Sequence, residues 1–384
     1  MDFNLSEEHA SFADSVRRFA SEKLAAGALQ RAHSSAYPAD VAQLLATQGL
    51  LGIAFAEEDG GQGGSLMHAV LAIQEVALVC PKSADIVQAG NFGPIRTFVE
   101  YASAEQKARW LPELLSGRML ISLGMTEPDA GSAVTELKTH ARLDGDHYVI
   151  NGSKVFSTHS PDASLFLLYV RFGPGLDGIG SVLIERDTPG FTIGEPSAFM
   201  SGEEWCPLFM QDCRIPAANL LLGPGGFKKQ ISGFNVERLG NASRSLALGR
   251  HCFNLAREHV KLRKQFGRPL CEFQGLQWKF AEMALKLEAA QLLLYKAAME
   301  GEQGLPSAHS TAMAKLACNQ AGWEVGNEAM QAMGATGYSR ETLLEYCVRR
   351  IRGWMIAGGS VEMLKNRIAE GVFERSFSQR PGKG

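Results

Sequence analysis

The sequence predicts an α+β protein in which a helical region, a small antiparallel β domain and a four-helix bundle follow one another. Helical spacing of apolar residues dominates residues 1–119 and returns after residue 225. Short alternating runs broken by closely spaced prolines occupy the stretch between. The predicted domains are therefore 1–119, 120–225 and 226–384. A chain of 384 residues is long enough for several layers with sizeable cores.

Capping signals mark helices in the first region. Ser6 is a predicted N-cap, followed by Glu7 and Glu8, whose charges suit the first turn of a helix. Ser103 and Gln106 form a predicted capping box at the start of a later helix. These signals indicate that the first region begins and ends with helices.

The middle region carries turn signals between short strands. Asp144-Gly145-Asp146 separates two apolar runs and predicts a β-hairpin. Asn151-Gly152 predicts a second turn soon after it. Residues 173–178 match Gly-x-Gly-x-x-Gly, but a dinucleotide-binding loop must open a helix, and residues 179–185 read as a strand. We therefore expect residues 173–178 to form a plain hairpin loop.

The last region predicts four long helices, near residues 226–263, 272–300, 307–334 and 340–375. Short links between long helices are typical of a bundle.

Composition narrows the class of function. A net charge of −3 and a pI near 6.3 give no electrostatic reason to expect nucleic acid or a membrane as a partner. No stretch has the length of a secretory signal or a membrane helix. Seven cysteines without a Cys-x-x-Cys pair indicate reduced thiols and a cytoplasmic location. No His-x-x-x-His pair or Gly-x-Ser-x-Gly elbow supports metal or serine-hydrolase chemistry.

Five segments resemble signatures of the acyl-CoA dehydrogenase family, in the family's order and across nearly the whole chain. They are residues 125–132, 151–158, 263–269, 331–338 and 358–366. The resemblance implies an N-terminal helical domain, a β-barrel-like middle domain and a C-terminal four-helix bundle. It also implies that FAD is bound without a dinucleotide fingerprint, and that the protein is a homotetramer built as a dimer of dimers.

The resemblance implies that side chains from all five segments contact FAD. These are Met125, Thr126, Ser132, Phe156, Thr158, Arg263, Phe266, Gln331, Gly334, Ser360 and Glu362. Thr126 and Thr158 would lie near the isoalloxazine ring, where short hydroxyl side chains can donate to its polar edge. Arg263 would bind the pyrophosphate of a neighbouring subunit. Without the motifs, an ordinary strand face would be the favoured interpretation of Phe156 and Thr158, and a solvated helix end that of Arg263.

The most specific hypothesis concerns which residue is the catalytic base. Many relatives place a glutamate where Gly358 stands, and glycine cannot accept a proton. Isovaleryl-type and long-chain relatives instead use the glutamate that matches Glu237. On a helix, Glu237 shares a face with Gly233, Gly240 and Asn241, and the glycines would leave room for a ligand. A solvent-exposed helix glutamate is the alternative from spacing alone.

The implied reaction is α,β-dehydrogenation of an acyl-CoA thioester to the 2,3-enoyl-CoA. Glu237 would remove the α-proton, the β-hydride would pass to flavin N5, and the backbone N–H of Gly358 would polarise the thioester carbonyl. The reduced flavin would then pass electrons to an electron-transfer flavoprotein. The expected substrate contacts are Ser132, Asn235, Arg238, Gln88 and Phe92.

Two kinds of alternative remain open at this stage. One is a family member with different chemistry: an oxidase, a monooxygenase, or a base-free enzyme that expels a leaving group. The other is a non-catalytic or nucleic-acid-binding relative, which the acidic balance disfavours.

Overall fold

A computed structural model describes residues 4–301 and 305–377 and divides the chain into two compact units. The first unit is Ser6–Phe234, and the second comprises Asn235–Gly384 with Met1–Leu5. The predicted α+β class and the order of helices, sheet and helices are confirmed. The boundaries 1–119, 120–225 and 226–384 remain predictions.

Helices make up the start of the first unit. They are α1 Glu7–Lys23, α2 Ala28–Ala32, α3 Ala39–Thr47, α4 Leu66–Val79, α5 Pro81–Ala89, α6 Pro94–Tyr101 and α7 Ala104–Leu115. The predicted caps are confirmed: the Ser6 side chain accepts the N–H of His9, and Ser103 with Gln106 forms a reciprocal capping box.

A single mixed sheet follows the helices. Its strands are β1 Ile121–Gly124, β2 His140–Asp144, β3 His147–Thr158, β4 Leu165–Arg171, β5 Ile179–Glu185, β6 Phe191–Ile193, β7 Ser197–Ala198, β8 Glu204–Pro216 and β9 Leu220–Leu222. The main strand order is β6-β8-β3-β2-β4-β5-β9, with β1 paired to β4 and β7 to β8. Most pairings are antiparallel, as predicted; β1 and β2 run parallel to β4.

The predicted hairpin at Gly145 is confirmed, because β2 and β3 pair up to Asp144 and His147. The second turn predicted at Asn151-Gly152 is wrong, since β3 continues through it with a bulge opposite β8. The Asn151 amide satisfies the backbone there: its Oδ1 accepts the N–H of Asp212 at 2.9 Å. Gly152 is required because a Cβ would lie 2.6 Å from the Cα of Thr139. A bulge needs the same residue types as a turn, which explains the error.

The strands β4 and β5 are buried on both faces. Alternate residues of β4 enter two different cores: Leu165, Leu167 and Tyr169 pack with the helices, and Phe166 and Leu168 pack with the other strands. Residues 173–178 form the loop between these antiparallel strands, so the prediction of a plain hairpin loop is confirmed.

The last part of the chain is helical. Its elements are α8 Phe227–Leu262, β10 Lys264–Gln265, β11 Arg268–Pro269, α9 Gln274–Glu300, α10 Ala308–Met333, α11 Ala335–Tyr338, α12 Leu344–Trp354 and α13 Val361–Val372. The boundary between the two units falls within α8.

The continuous helix predicted near 340–375 is wrong, because α12 ends at Trp354 and α13 begins at Val361. Gly358 and Gly359 between them have φ of +66° and +89°, a left-handed conformation that ends a helix. We call residues 355–360 the terminal loop.

Two helices of the second unit touch through glycine. A Cβ at Gly249 of α8 would lie 2.7 Å from the Cα of Gly322 in α10, and a Cβ at Gly322 would lie 2.4 Å from the carbonyl oxygen of Ser245. Such backbone contact fixes the rotation of α8 about its own axis, and with it the direction of the side chains that α8 carries.

We expect Gly322→Ala to lower the free energy of unfolding by about 1–3 kcal/mol, because the added methyl group must push the two backbones apart. Urea unfolding followed by circular dichroism measures the change. Gly275→Ala in α9 is the matched control, since a Cβ there meets nothing within 4 Å. Equal unfolding midpoints for the two variants would contradict the close crossing.

Candidate active site

In the first unit, two of the five family-like segments are held together. The backbone N–H of Val155 donates to the carbonyl oxygen of Thr126 at 2.9 Å. Beside this bond, the buried Lys154 ammonium lies 2.8 Å from Oε1 of Glu127, which is also buried. A backbone hydrogen bond and a buried ion pair therefore join segments 125–132 and 151–158.

Glu127 organises the backbone as well as the lysine. Its Oε2 accepts the N–H of Lys138 at 2.6 Å, and its Oε1 accepts the N–H of Thr139 at 2.9 Å. Burial alone would raise the pKa of Glu127, but the Lys154 charge and these hydrogen bonds lower it. Burial lowers the pKa of Lys154 to about 8, against the opposing effect of Glu127. Both residues lie inside the segments that resemble the family, but neither was among the predicted site residues.

Phe156 presents an aromatic surface at the end of β3. Its φ is +61°, and its side chain is 53% exposed. Its ring centroid is 4.6 Å from that of Trp205 and 6.3 Å from that of Phe199. Trp205, which the sequence analysis did not single out, pairs with Thr158 across β3 and β8. An open apolar plane of this kind suits a flat ring system.

The other cofactor contacts predicted in the first unit follow β1 or end β3. Met125 and Thr126 are half-buried just after β1, and Ser132 is exposed in the following loop. Thr158 is exposed, and its carbonyl oxygen accepts the hydroxyl of Ser122 at 2.6 Å. Within residues 4–301 and 305–377, the hydroxyls of Thr126 and Thr158 make no hydrogen bond, so both are available as donors.

The predicted acyl-pocket residues of the first unit are buried. Gln88, in α5, is 5% exposed and Phe92 is fully buried. The neighbouring Asn91 has a structural role, because its amide donates to Leu50 and Val87 and accepts the N–H of Ile53 at 2.6 Å.

In the second unit, Arg263 and Phe266 lie at the turn after α8. The turn is held by the backbone of Arg263, whose carbonyl oxygen accepts the N–H of Leu270 at 2.9 Å. The Arg263 guanidinium is exposed and forms no ion pair with any residue that the structure describes. Phe266, with φ of +50°, is 93% exposed. An exposed guanidinium without an ion-pair partner among the described residues, in the same turn as an exposed ring, suits a phosphate-bearing ligand or a second subunit.

Gln331 and Gly334 lie at the C-terminal end of α10, and both are exposed. Gly334 ends the helix with φ of +60°. Ser360 caps α13, since its side chain accepts the N–H of Met363 at 3.4 Å. Glu362 is exposed, and hydrogen bonds to its own backbone and to Ser360 lower its pKa. The Ser360 hydroxyl thus has a structural use that the sequence did not indicate.

Glu237 and Gly358 are associated through two buried neighbours. Glu237 is half-buried, and its Oε2 is fully buried. One turn later on α8, Asn241 lies with Nδ2 3.8 Å from where a Cβ on Gly358 would be, and Nζ of Lys315 lies 3.9 Å from the same point. The charge of Glu237 also acts on Lys315. The carboxylate of Glu237 on α8 is therefore near the point from which a glutamate side chain at position 358 would extend.

Other predicted features of α8 have different uses. A Cβ at Gly233 would lie 3.3 Å from Oγ1 of Thr97, so this glycine accommodates α6. Asn235 accepts a hydrogen bond from Arg238 at 3.0 Å. Burial, and then the charge of Arg367, lowers the pKa of Arg238 to about 10. The two predicted substrate contacts, Asn235 and Arg238, are thus hydrogen-bonded to each other.

Within the part of the chain that the structure describes, no helix combines the length and apolar character that a membrane crossing requires. That part also contains no group of three or more His, Cys, Asp or Glu side chains placed to hold a metal ion.

Comparisons with known proteins assign the chain to a family. Three family models match in succession: the acyl-CoA dehydrogenase N-terminal domain at residues 6–118, the middle domain at 122–213 and the C-terminal domain at 224–373.

Relatives match over almost their whole length. The chain is 35% identical to 3-sulfinopropanoyl-CoA desulfinase of Paraburkholderia xenovorans, covering 98% of this chain and 99% of the relative. It is 33% identical to the short-chain-specific acyl-CoA dehydrogenase of Clostridium acetobutylicum, covering 97% and 100%. The solved structure of butyryl-CoA dehydrogenase from Megasphaera elsdenii superimposes with a TM-score of 0.90 at 30% identity, covering 97% and 100%.

Fold, segments and matches together define a flavin-dependent oxidoreductase. The chain belongs to the acyl-CoA dehydrogenase family, whose members depend on FAD. The side chains described above fit that cofactor: hydroxyl donors at Thr126 and Thr158 and a guanidinium at Arg263 that have no partner within residues 4–301 and 305–377, and an open aromatic plane at Phe156.

We expect Glu127→Gln to lower the free energy of unfolding of the FAD-loaded protein by about 3–5 kcal/mol, because Lys154 would be left as a buried charge without a counterion. Urea titration measures it. Asp129→Asn is the control, since Asp129 pairs with Lys138 at an exposed site and its loss should change little. A similar decrease in the free energy of unfolding in both variants would show that the buried Glu127–Lys154 pair stabilises the protein no more than an exposed pair does.

Proposed function

We propose that the protein dehydrogenates an acyl-CoA thioester to the 2,3-enoyl-CoA, with Glu237 as the base that removes the α-proton. One observation carries this proposal. The loop position that holds a glutamate in many relatives is Gly358, and Glu237 of α8 lies near it through Asn241 and Lys315. A buried oxygen on this carboxylate supports a role away from bulk solvent.

The residues would divide the chemistry as follows. FAD, when bound, supplies the acceptor for the β-hydride. Glu237 takes the α-proton, and the backbone N–H of Gly358 donates to the thioester carbonyl, which makes that proton more acidic. Thr126 and Thr158 donate to the polar edge of the cofactor ring, and Phe156 covers one of its faces. Ser132, Asn235 and Arg238 are the proposed contacts of the CoA moiety, and Gln88 and Phe92 those of the acyl chain.

The remaining cofactor contacts proposed are Met125, Arg263, Phe266, Gln331, Gly334, Ser360 and Glu362. The exposed guanidinium of Arg263 and the exposed ring of Phe266 are consistent with binding to the cofactor of a neighbouring subunit. The proposed electron acceptor is an electron-transfer flavoprotein, and the proposed location is the cytoplasm.

A base-free elimination is the second candidate function. Four of the relatives, between 32% and 35% identical to this chain, are named 3-sulfinopropanoyl-CoA desulfinase. The C–S bond of a thioester with a sulfinate group on its β-carbon could be hydrolysed on this fold without net oxidation: water supplies the proton that replaces the sulfinate group, and sulfite leaves. The presence of a glutamate at position 237 favours dehydrogenation, because this cleavage removes no α-proton and so needs no base.

We further propose a homotetramer, on the basis of an apolar stripe along α9. Trp278, Leu285, Leu292 and Met299 recur every seven residues and are between 39% and 70% exposed. A seven-residue repeat places them on one face of the helix. Exposed apolar stripes of this length usually mark a protein interface.

The assignment of the base is tested with Glu237→Gln. We expect the variant to retain FAD but to bleach the bound flavin at least about 10³-fold more slowly with acyl-CoA under anaerobic conditions, because the proton has no acceptor. Glu258→Gln is the matched control, since Glu258 lies on the same helix at an exposed ion pair with Lys261. Full-rate bleaching by Glu237→Gln would refute the assignment.

The substrate class is tested with a panel of acyl-CoA thioesters that includes 3-sulfinopropanoyl-CoA. Dehydrogenation predicts flavin bleaching and an enoyl-CoA product with a simple acyl-CoA. Release of sulfite without bleaching, with the 3-sulfinopropanoyl thioester alone, would replace dehydrogenation by the second candidate.

The assembly is tested with Leu285→Lys, which places a charge in the stripe of α9. We expect a smaller particle in size-exclusion chromatography with light scattering, because the interface would have to bury an unpaired ammonium group. Ala284→Lys is the control, since Ala284 is exposed on α9 about 100° from the stripe. An unchanged mass for Leu285→Lys would argue against the stripe as an interface.

A further inference from the structure

Lys315, in the first half of α10, is fully buried, and among the residues that the structure describes its ammonium group hydrogen-bonds only to backbone carbonyl oxygens. Its Nζ donates to the carbonyl oxygens of Ala357 at 2.8 Å, Gly359 at 2.7 Å and Trp354 at 3.3 Å. An ammonium group has three N–H donors, so three carbonyl oxygens use all of them. The whole set lies within the second unit, and two of the three acceptors belong to the terminal loop.

The charges around Lys315 act in opposite directions. Burial, with the charge of Arg238, lowers the pKa of Lys315 to about 7; Glu237 raises it and Arg244 lowers it. The three carbonyl oxygens favour the ammonium form, because a neutral amine would turn a lone pair towards one of them. The arrangement therefore suits a cation, and Glu237 contributes to its stability.

The hydrogen bond from Lys315 to the Ala357 carbonyl oxygen also affects the N–H of Gly358. The carbonyl of Ala357 and the N–H of Gly358 belong to the same peptide group. A charged donor on the carbonyl oxygen draws electron density through the amide and makes the N–H a stronger donor. That N–H is the group that the proposed function directs at the thioester carbonyl.

We propose that Lys315 is a positioning residue for the proton-removal step: it fixes the left-handed terminal loop and polarises the Ala357–Gly358 peptide group so that the Gly358 N–H stabilises the enolate. This inference rests on the proposed function. Lys315 itself touches neither substrate nor cofactor in this role.

The chain offers a matched control one turn further along the same helix. Asn319 is also fully buried, and its Nδ2 donates to the carbonyl oxygen of Trp354 at 2.8 Å. It therefore anchors the start of the same loop, but it does not touch the Ala357–Gly358 peptide group. A purely structural role for Lys315 predicts that loss of either anchor has the same effect.

The test uses the FAD-loaded protein and a 3-thiaacyl-CoA of the chain length that the panel selects. Sulfur in place of the β-carbon leaves an acidic α-proton but no hydride to transfer. The long-wavelength absorbance of the bound enolate beside the flavin then reports proton loss alone. We expect Lys315→Met to lower the equilibrium constant for proton loss by about tenfold or more. Asn319→Leu should leave it within about twofold of the wild-type value.

Several outcomes are decisive. An unchanged equilibrium constant in Lys315→Met, or equal losses in Lys315→Met and Asn319→Leu, would overturn the inference. If Lys315→Met does not fold, Lys315→Gln keeps an N–H donor without the charge, and a wild-type value in that variant would overturn it equally. Failure of the wild-type protein to ionise the analogue, or ionisation by Glu237→Gln, would instead refute the proposed function.

Discussion

The hydrogen bonds from one buried ammonium group to the backbone of the terminal loop are the constraint on which the candidate site of the second unit depends. Removing a lysine from water costs several kcal/mol unless its donors are all satisfied. Lys315 meets that condition with three carbonyl oxygens, two of them from a loop whose glycines have positive φ. The charge and the loop conformation therefore require each other.

The first unit also contains a buried lysine that holds the backbone, but the partner of this lysine is a carboxylate. Lys154 is buried as completely as Lys315, but its partner is the carboxylate of Glu127, which in turn accepts two backbone N–H groups. In both places a lysine fixes the backbone beside the proposed chemical groups and leaves those groups open. Precise placement of a catalytic group depends on such supporting contacts.

Sequence patterns predicted the fold because most of its signals are local. Caps such as Ser6 and the hairpin at Gly145 depend on residues within a few positions of each other, and these were confirmed. The errors arose where distant residues decide. Asn151-Gly152 becomes a bulge because it pairs with β8. The helix predicted near 340–375 is interrupted at the terminal loop, which is held by Lys315, 42 residues before Ala357.

Prediction of the candidate site from local sequence patterns had the same limit. Motifs pointed to Thr126, Phe156 and Gly358, but not to the residues that support them. Nothing local distinguishes Lys315 from any other helix lysine, since its role arises only from the packing of α10 against the terminal loop. Trp205 was missed for the same reason, because it faces Thr158 only through the pairing of β8 with β3, which no local pattern specifies.

The left-handed geometry of Gly358 has a consequence for substitution at this position. A residue with a side chain at φ of +66° carries about 1–2 kcal/mol of backbone strain that glycine does not. An acidic residue introduced at position 358 would bear that strain and would also bring a second negative charge towards Glu237. A Gly358→Glu substitution therefore carries two energetic costs, and replacement of Glu237 by a neutral residue would remove one of them.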